Sequence, residues 1–540
     1  MCASTKMAMP QTYKIPPHTL RKCIGLWTAF GLSWAQGWAG LRDSFMVENE
    51  RIEVLELTER PFPPLPELAA PAWRLESPSW QGAPLSSPVL VAPYAPTRPT
   101  WTKLAPLHFR YSLGRFLTQQ VQVSWGHTRD LERDGGIAFQ HHSTPIGHVT
   151  AARWGTTTLQ GWWGRYSARQ AFEVRYRGSY EKFFFYAPLA EGWLSLEDGG
   201  RIPDTLRGHF WRQELTLSAR DTSWGGLRFT TRRLDLRQGL PEWQVRLSAE
   251  SPYFVLSPLS RLRCSAEAFG EGPRFLLKAS ALLYQETKVW HLRLGLLLGL
   301  GRDSSLRFLG GPQMLALYKG FSSLFRPYLQ AESDLIPLTY FSATELNPYV
   351  RRRAEPLPLL RQWLQAEFGS QGQGIGWDYR LAAEYRFQQG ALVFLPHSYY
   401  FALRGLPYLH SLGGILAFQY LPQPTGPQAE LRAAYRHWLL PRGWTYYSIP
   451  HWELTARLGY NWEEKFYFAL RMHAIGARSL SDTLTASPFV DISWEAHLRF
   501  LPIMSFFVEM NNLLNRRFYR WYGYRERPLD IRLGIWLKIG

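Results

Sequence analysis

Val490-Asp-Ile-Ser-Trp-Glu-Ala-His-Leu-Arg-Phe500 and Leu529-Asp-Ile-Arg-Leu-Gly-Ile-Trp-Leu-Lys-Ile-Gly540 change side-chain character at every residue. A helix turns about 100° per residue and would scatter these apolar groups around its whole surface, whereas a strand with period two collects them on one face. Both runs have the length that crosses a hydrocarbon core as tilted β-structure, about 9–11 residues, rather than the ~5–6 of ordinary soluble strands. A third alternating stretch, Phe506 to Asn511, lies between them. A chain finishing on such a strand is expected to pair its last strand with its first, the condition for a transmembrane β-barrel.

The rest of the composition agrees. Aromatic residues make up 15% of the 540 residues, with 24 Trp, yet mean hydropathy is only -0.24. That combination is expected when lipid-facing and lumen-facing residues alternate. No uninterrupted apolar segment reaches the roughly 18 residues of a membrane-crossing helix, which excludes a helical membrane protein. The formal net charge is +18 and the pI about 9.8. Nucleic-acid binders concentrate such charge in one domain or stripe, but here Arg is spread along the whole chain. Attraction to a phosphate-rich membrane surface or to anionic solutes fits the spread, as does a solvated lumen, and no nucleic-acid partner is expected. Of Cys2, Cys23 and Cys264, two fall in a segment expected to be removed, so neither a disulfide framework nor a cysteine metal site is expected.

At the front, Arg21-Lys22 precede an apolar run ending in Ser33-Trp34-Ala35, the order of a secretory signal over residues 1–35. Residues 36–102 are then dense in proline, with Pro61, Pro63, Pro64 and Pro66 in close succession. Proline denies ladder hydrogen bonds and favours extended geometry, so this segment reads as a periplasmic arm. It is a possible docking segment for a periplasmic partner, or an arm threading the lumen.

Barrel-type strands begin near Leu107 and continue to the end, over residues 103–540. Phe172, Val174 and Tyr176 alternate with charged neighbours, as do Trp243, Val245, Leu247 and Ala249, and Leu292 to Leu300 form another apolar face. Counting such runs predicts about 22 strands, within a range of 16–24, in an all-β antiparallel barrel. Bacterial barrels keep short turns on the periplasmic side and long loops outside. The tight turn at Glu463-Glu464 and the turn from Phe500 to Ile503 are therefore expected inside, and Arg478 to Ser487 and Asn512 to Pro528 outside.

Phe506-Phe-Val-Glu-Met-Asn-Asn-Leu-Leu-Asn-Arg-Arg-Phe-Tyr519, followed by Trp521-Tyr-Gly-Tyr524 and Leu533-Gly-Ile535, resembles the penultimate-strand segment of TonB-dependent receptors. The whole layout is similar to plug-less receptor-like barrels of Bacteroidota-type outer membranes, in which a mid-chain segment ends as Asn347-Pro348-Tyr349 does here. The resemblance implies an outer-membrane transport or receptor protein without its own plug domain and without catalysis. The family's chains usually end on an aromatic, and this one ends on Lys538-Ile539-Gly540. The stretch before the first strand is short for a plug, and Ile52-Glu53-Val54 is a faint match to the TonB-binding segment, so energised uptake is not carried over.

Candidate sites are few. His141, His142 and His148, with His127 nearby, are the densest histidine group, but strand alternation sends adjacent His141 and His142 to opposite faces and no metal site is expected. Ser493, Glu495 and His497 share one face at about 7 Å per two residues, beyond the reach of a nucleophile and its base, which reads as a polar lumen face. Arg351-Arg352-Arg353 and the cluster Arg516, Arg517, Arg520, Arg525 and Arg527 are the strongest basic patches. Arginine grips phosphate bidentately, so the cluster is a candidate contact for an anionic ligand or glycolipid. The plainer reading is an interfacial aromatic girdle of Phe518, Tyr519, Trp521, Tyr522 and Tyr524 with snorkelling arginines. The expectation is thus an outer-membrane barrel surrounded by lipid, with no cofactor. A passive porin, or a membrane anchor for a periplasmic or surface complex, is the alternative.

Overall fold

In the computed structural model of the chain, Leu107–Gly114 pairs antiparallel with Asp530–Ile539, Leu107 facing Ile539 and Leu113 facing Leu533. The last strand is therefore bonded to the first, and the sheet closes. The structure describes residues 107–127, 133–146, 152–167, 169–187, 206–236, 241–352, 357–397, 400–421, 426–463 and 465–539. The expected signal peptide and Pro-rich arm lie outside these residues.

The closed sheet contains 23 strand segments. Glu242–Glu250 and Phe254–Ser257 both pair with Ser260–Glu271, so they are one interrupted barrel strand and the barrel has 22. Each strand is hydrogen-bonded to its sequence neighbour, from Leu107–Gly114 with Gln119–His127 through to Met504–Asn511 with Asp530–Ile539. Strand lengths run from the 8 residues of Leu107–Gly114 to the 16 of Leu359–Gly374. Closure satisfies every edge, which an open sheet in lipid would leave unpaired.

Period-two alternation appears as alternating burial. Leu294, Leu296 and Leu298 are 41%, 65% and 55% exposed, while Leu297 between them is buried. Trp243, Val245 and Leu247 likewise face outward, as do Leu458, Leu498 and Leu533. Apolar exposure on this scale marks a surface whose solvent is hydrocarbon. Among the described residues no helix is long and apolar enough to cross a membrane.

Connection lengths separate the two ends. Trp452–Trp462 turns into Phe466–Ile475, Phe489–Leu501 into Met504–Asn511, and Leu359–Gly374 into Trp377–Gln389, all at the end where the first strand starts and the last one finishes. The last of these turns has two residues, Ile375-Gly376, and Gly376 takes φ 74°, the left-handed geometry a two-residue hairpin needs. The opposite end carries the long connections, among them residues 338–358, 390–408, 476–488 and 512–529. Over the last strands, from Trp452 to Ile539, this is the alternation of short and long that the sequence predicts, while the same end also carries the short turns 272–273 and 303–305.

Inward-facing charges follow a repeated arrangement in which one carboxylate serves two cations. Glu495 lies 3.2 Å from both Arg457 and Arg471, and Glu267 lies 2.8 Å from Arg246 and 3.4 Å from Lys278. Glu384 sits between Arg386 and Arg436, Glu509 between Arg110 and Arg532, and Glu250 between Arg220 and Arg263. Lys278 also meets Asp334, and Arg532 meets Asp530. Ten cations thus share seven carboxylates in these clusters, three more positive than negative charges among them. A low-dielectric tube lined this way attracts anions.

Candidate functional site

The long connections fold inward and pack on one another. The long connection after Arg326–Pro337 carries a short α-helix, Tyr340–Leu346, in which Tyr340, Phe341, Ala343 and Thr344 are buried. Thr339 starts it: its hydroxyl accepts from the Ser342 amide at 3.1 Å, satisfying one of the unpaired donors of a first turn. The carboxylate of Glu242, on the barrel wall and 1% exposed, accepts from the amides of Tyr340 at 3.1 Å and Phe341 at 3.3 Å. Arg212 holds the other end, donating from Nη2 to the Thr344 carbonyl at 2.9 Å while Nη1 meets Glu181 at 3.0 Å. Opposite charges placed at the two ends of the helix match its dipole and pin it to the wall.

Beyond the helix, the amide of Phe401 donates to the Tyr349 carbonyl at 2.9 Å, and the amide of Arg351 to the Phe401 carbonyl at 3.0 Å. Residues 338–358 are thereby stitched to the hairpin of Leu392–Pro396 and Phe401–Gly405. A third connection joins through the small hairpin of Tyr519–Trp521 and Tyr524–Arg525. Tyr349 stacks on Tyr524, centroids 3.5 Å apart at 15°, and the Tyr186 hydroxyl donates to the Arg525 carbonyl at 2.7 Å. Trp521 lies against Phe394 and Phe401, 5.2 and 5.4 Å from their centroids. Burial raises the phenols of Tyr186 and Tyr349 above their ordinary range, so both stay neutral. Three connections, joined by Tyr186 and Ala187 at the end of the strand Gln170–Phe184, therefore form a cap over the mouth with a continuous apolar core.

This corrects the girdle reading of the last long connection. Trp521 is 4% and Tyr524 2% exposed, buried in the cap instead of standing at the lipid interface. The physical reason is that ring faces of several loops can stack only on each other once the loops turn inward over the lumen.

The five arginines of that connection diverge. Arg516 and Arg517 are exposed. Arg525 donates to the Tyr519 hydroxyl at 2.9 Å, and the Arg527 guanidinium lies 4.8 Å from the Trp154 ring centroid, both acting within the cap. Arg520, 3.1 Å from Glu526, reaches the space beneath. Arg351 and Arg352 lie over the rings of Tyr400 and Tyr340, and Arg353 lies outside the described residues. His141 is held by Thr157 at 2.9 Å and Ser143 at 3.1 Å, and His142 packs edge-on against Trp154. His148 is outside the described residues. His497 packs against Tyr467, Phe507 and Trp536, and Glu495 on the same face takes two arginines, as a polar lumen face requires. Among the described residues, no three of His, Cys, Asp and Glu converge as a metal site would need.

Beneath the cap lies a cavity of about 600 Å3, lined by Arg232, Arg246, Arg386, Arg436, Arg478 and Arg520, with Phe394, Phe489 and Trp521 among its apolar walls. Glu214, Glu267 and Glu384, which pair four of these arginines, do not line it, whereas Asp334 and Glu453 do, so cations outnumber carboxylates in the lining. The sequence reading missed Arg478, Glu242 and the helix. The available signal was the density of Tyr, Phe and Trp in supposed loops, at Tyr340-Phe341, Tyr349, Tyr400-Phe401 and Trp521-Tyr522.

No protein-family model matches the chain, and no curated protein sequence does. Solved structures do. The FrpB iron transporter from Neisseria meningitidis superposes with a TM-score of 0.61 at 10% identity, over 81% of this chain and 82% of that one. FpvA of P. aeruginosa, solved with bound pyoverdine and iron, gives 0.59 at 10% identity over 80% and 71%. The siderophore receptor PirA from Acinetobacter baumannii gives 0.59 at 10% identity over 80% of each chain. At such identity the likeness establishes the fold: this is the barrel architecture of outer-membrane transporters and receptors.

Proposed function

We propose, from that architecture, that this protein is an outer-membrane transport or receptor barrel whose mouth is gated by its own outer loops. The observation that carries the reading is the cap: Tyr349 on Tyr524, the helix Tyr340–Leu346 pinned at Glu242, and a cation-rich lumen directly below. Passive barrels need no such packed lid, and aromatic stacking of this kind contributes about 0.5–1.5 kcal/mol per pair beyond area burial. The reading includes the plug-less, receptor-like layout, supported by the Pro-rich composition of residues 36–102 and by the receptor-like segment Phe506 to Tyr519. Lipid is the partner of the outer face in this reading, and the exposure of Arg516 and Arg517 supports a contact with anionic glycolipid head groups.

The orientation is testable by thiol labelling. In a Cys264→Ser background, Arg517→Cys is expected to react with a membrane-impermeant maleimide on intact cells, and Ile375→Cys, 93% exposed in a short turn at the other end, only after permeabilisation. Labelling of both on intact cells, or of Ile375→Cys alone, contradicts an outward-facing cap.

A further inference from the structure

Arg478 opens the two-residue strand Arg478–Ser479, in the long connection that follows Phe466–Ile475. It lines the cavity and is 4% exposed. Its Nη2 donates to the Tyr519 carbonyl, and its guanidinium lies 5.3 Å from the Phe489 ring centroid. Its Nη1 makes no hydrogen bond, and no carboxylate pairs with it among the described residues. The lumen cations named above each have a carboxylate, so Arg478 is the exception. Leaving a buried guanidinium donor unmade is among the costlier arrangements a fold can hold.

Ser448 stands beside it. Its amide donates to the Ser479 carbonyl at 2.7 Å, its Oγ is buried without a hydrogen-bond partner, and it also lines the cavity. Its φ of 62° is a left-handed conformation that side chains adopt at a cost, and such outliers gather at ligand-binding sites. Arg520 completes the polar corner. Burial, and then the charge of Arg520, lower Arg478 to about 10, which leaves it cationic at neutral pH. Arg478, Arg520 and the Ser448 hydroxyl thus line a space that Glu453 also lines and whose apolar walls include Phe394, Phe489 and Trp521; Glu526 engages Arg520, and neither carboxylate forms an ion pair with Arg478.

We propose that the cavity beneath the cap binds an amphiphilic oxyanion, with a carboxylate or phosphate head on Arg478 and the Ser448 hydroxyl beside Arg520, and an apolar body against the aromatic wall. The fork of a guanidinium matches both kinds of head, and the volume falls within the ~300–1,000 Å3 of small-molecule sites. The bound head supplies acceptors to Arg478 Nη1 and Ser448 Oγ, two buried donors that make no hydrogen bond within the protein. The inference rests on the reading of the chain as a capped transport or receptor barrel.

Isothermal titration calorimetry on the full chain in a neutral detergent, with protein-free micelles as blank, tests it with phenyl phosphate, benzoate and phenol. Both anions are expected to bind and phenol not. Arg478→Gln should weaken anion binding about tenfold or more, the size of one lost charge-assisted hydrogen bond, and Ser448→Ala by several fold. Ser448→Ala removes only an atom without a partner, so it decides the matter if Arg478→Gln fails to reach the folded, heat-modifiable form. Wild type that binds neither anion, binds phenol equally, or binds undiminished in the variants overturns the proposal. A chain that labels with its cap outward but takes up no anion loses only this inference. One that fails the labelling loses the capped-barrel reading whatever it binds.

Discussion

At the scale of single residues, the chain's charge has a local explanation. Glu495 and Glu384 each hold two arginines, so in these clusters the carboxylates are outnumbered, which accounts locally for part of the excess of Lys and Arg. Alternation predicts which of these residues face inward, but not which pair, because partners such as Arg110 and Glu509 lie 399 positions apart. Asp303 shows a residue acting on a loop. It accepts from the Leu359 amide at 3.1 Å, from Ser305 at 3.0 Å and from Arg307 at 2.7 Å, and sits between two strands at the end that carries the long connections. Burial raises its pKa, but these donors outweigh burial and lower it to about 2. A carboxyl depressed on folding stabilises the fold above its usual value of about 4 and loses that contribution as pH falls toward 2. Amide-exchange protection at Leu359, corrected for intrinsic rates, should therefore fall between about pH 4 and pH 2. In Asp303→Asn it should be low and level across that window, and equal pH dependence in both proteins would refute the assignment.

At the scale of elements, strands were legible and loops were not. Lipid on one side and water on the other impose a two-residue period, and Phe489–Leu501, Met504–Asn511 and Asp530–Ile539 appear within a residue or two of the alternating runs. No such field acts on the outer connections, which fold through contacts between distant segments, as Tyr349 with Tyr524 and Phe394 with Trp521 do. The helix Tyr340–Leu346 is too short to show a period and depends on Glu242 and Arg212 from the wall. Glu242→Gln keeps the shape but removes the charge facing the helix amides. It is expected to weaken helix docking by about 1–2 kcal/mol, seen as roughly tenfold faster exchange of amides 340–346 with barrel amides unchanged. Unaltered exchange in the helix would show that Glu242 does not hold it.

At the scale of the whole molecule, closure of 22 strands and the packing of the long loops on one another make one object: a tube with an apolar outer face, a capped mouth and a cavity beneath the cap in which arginines outnumber carboxylates. The sequence anticipated the tube, its strand number and its two ends. It did not reveal the lid, because a lid is a relation among loops that have no common pattern. The most direct test is conductance of the purified full-length protein in planar bilayers. Wild type should show low conductance, and Tyr349→Ala/Tyr524→Ala, which removes the stacked pair joining two loops of the cap, should open in larger steps with a reversal potential favouring anions. A wild-type protein already conducting as a wide pore, or a double variant that stays closed or prefers cations, would contradict the account.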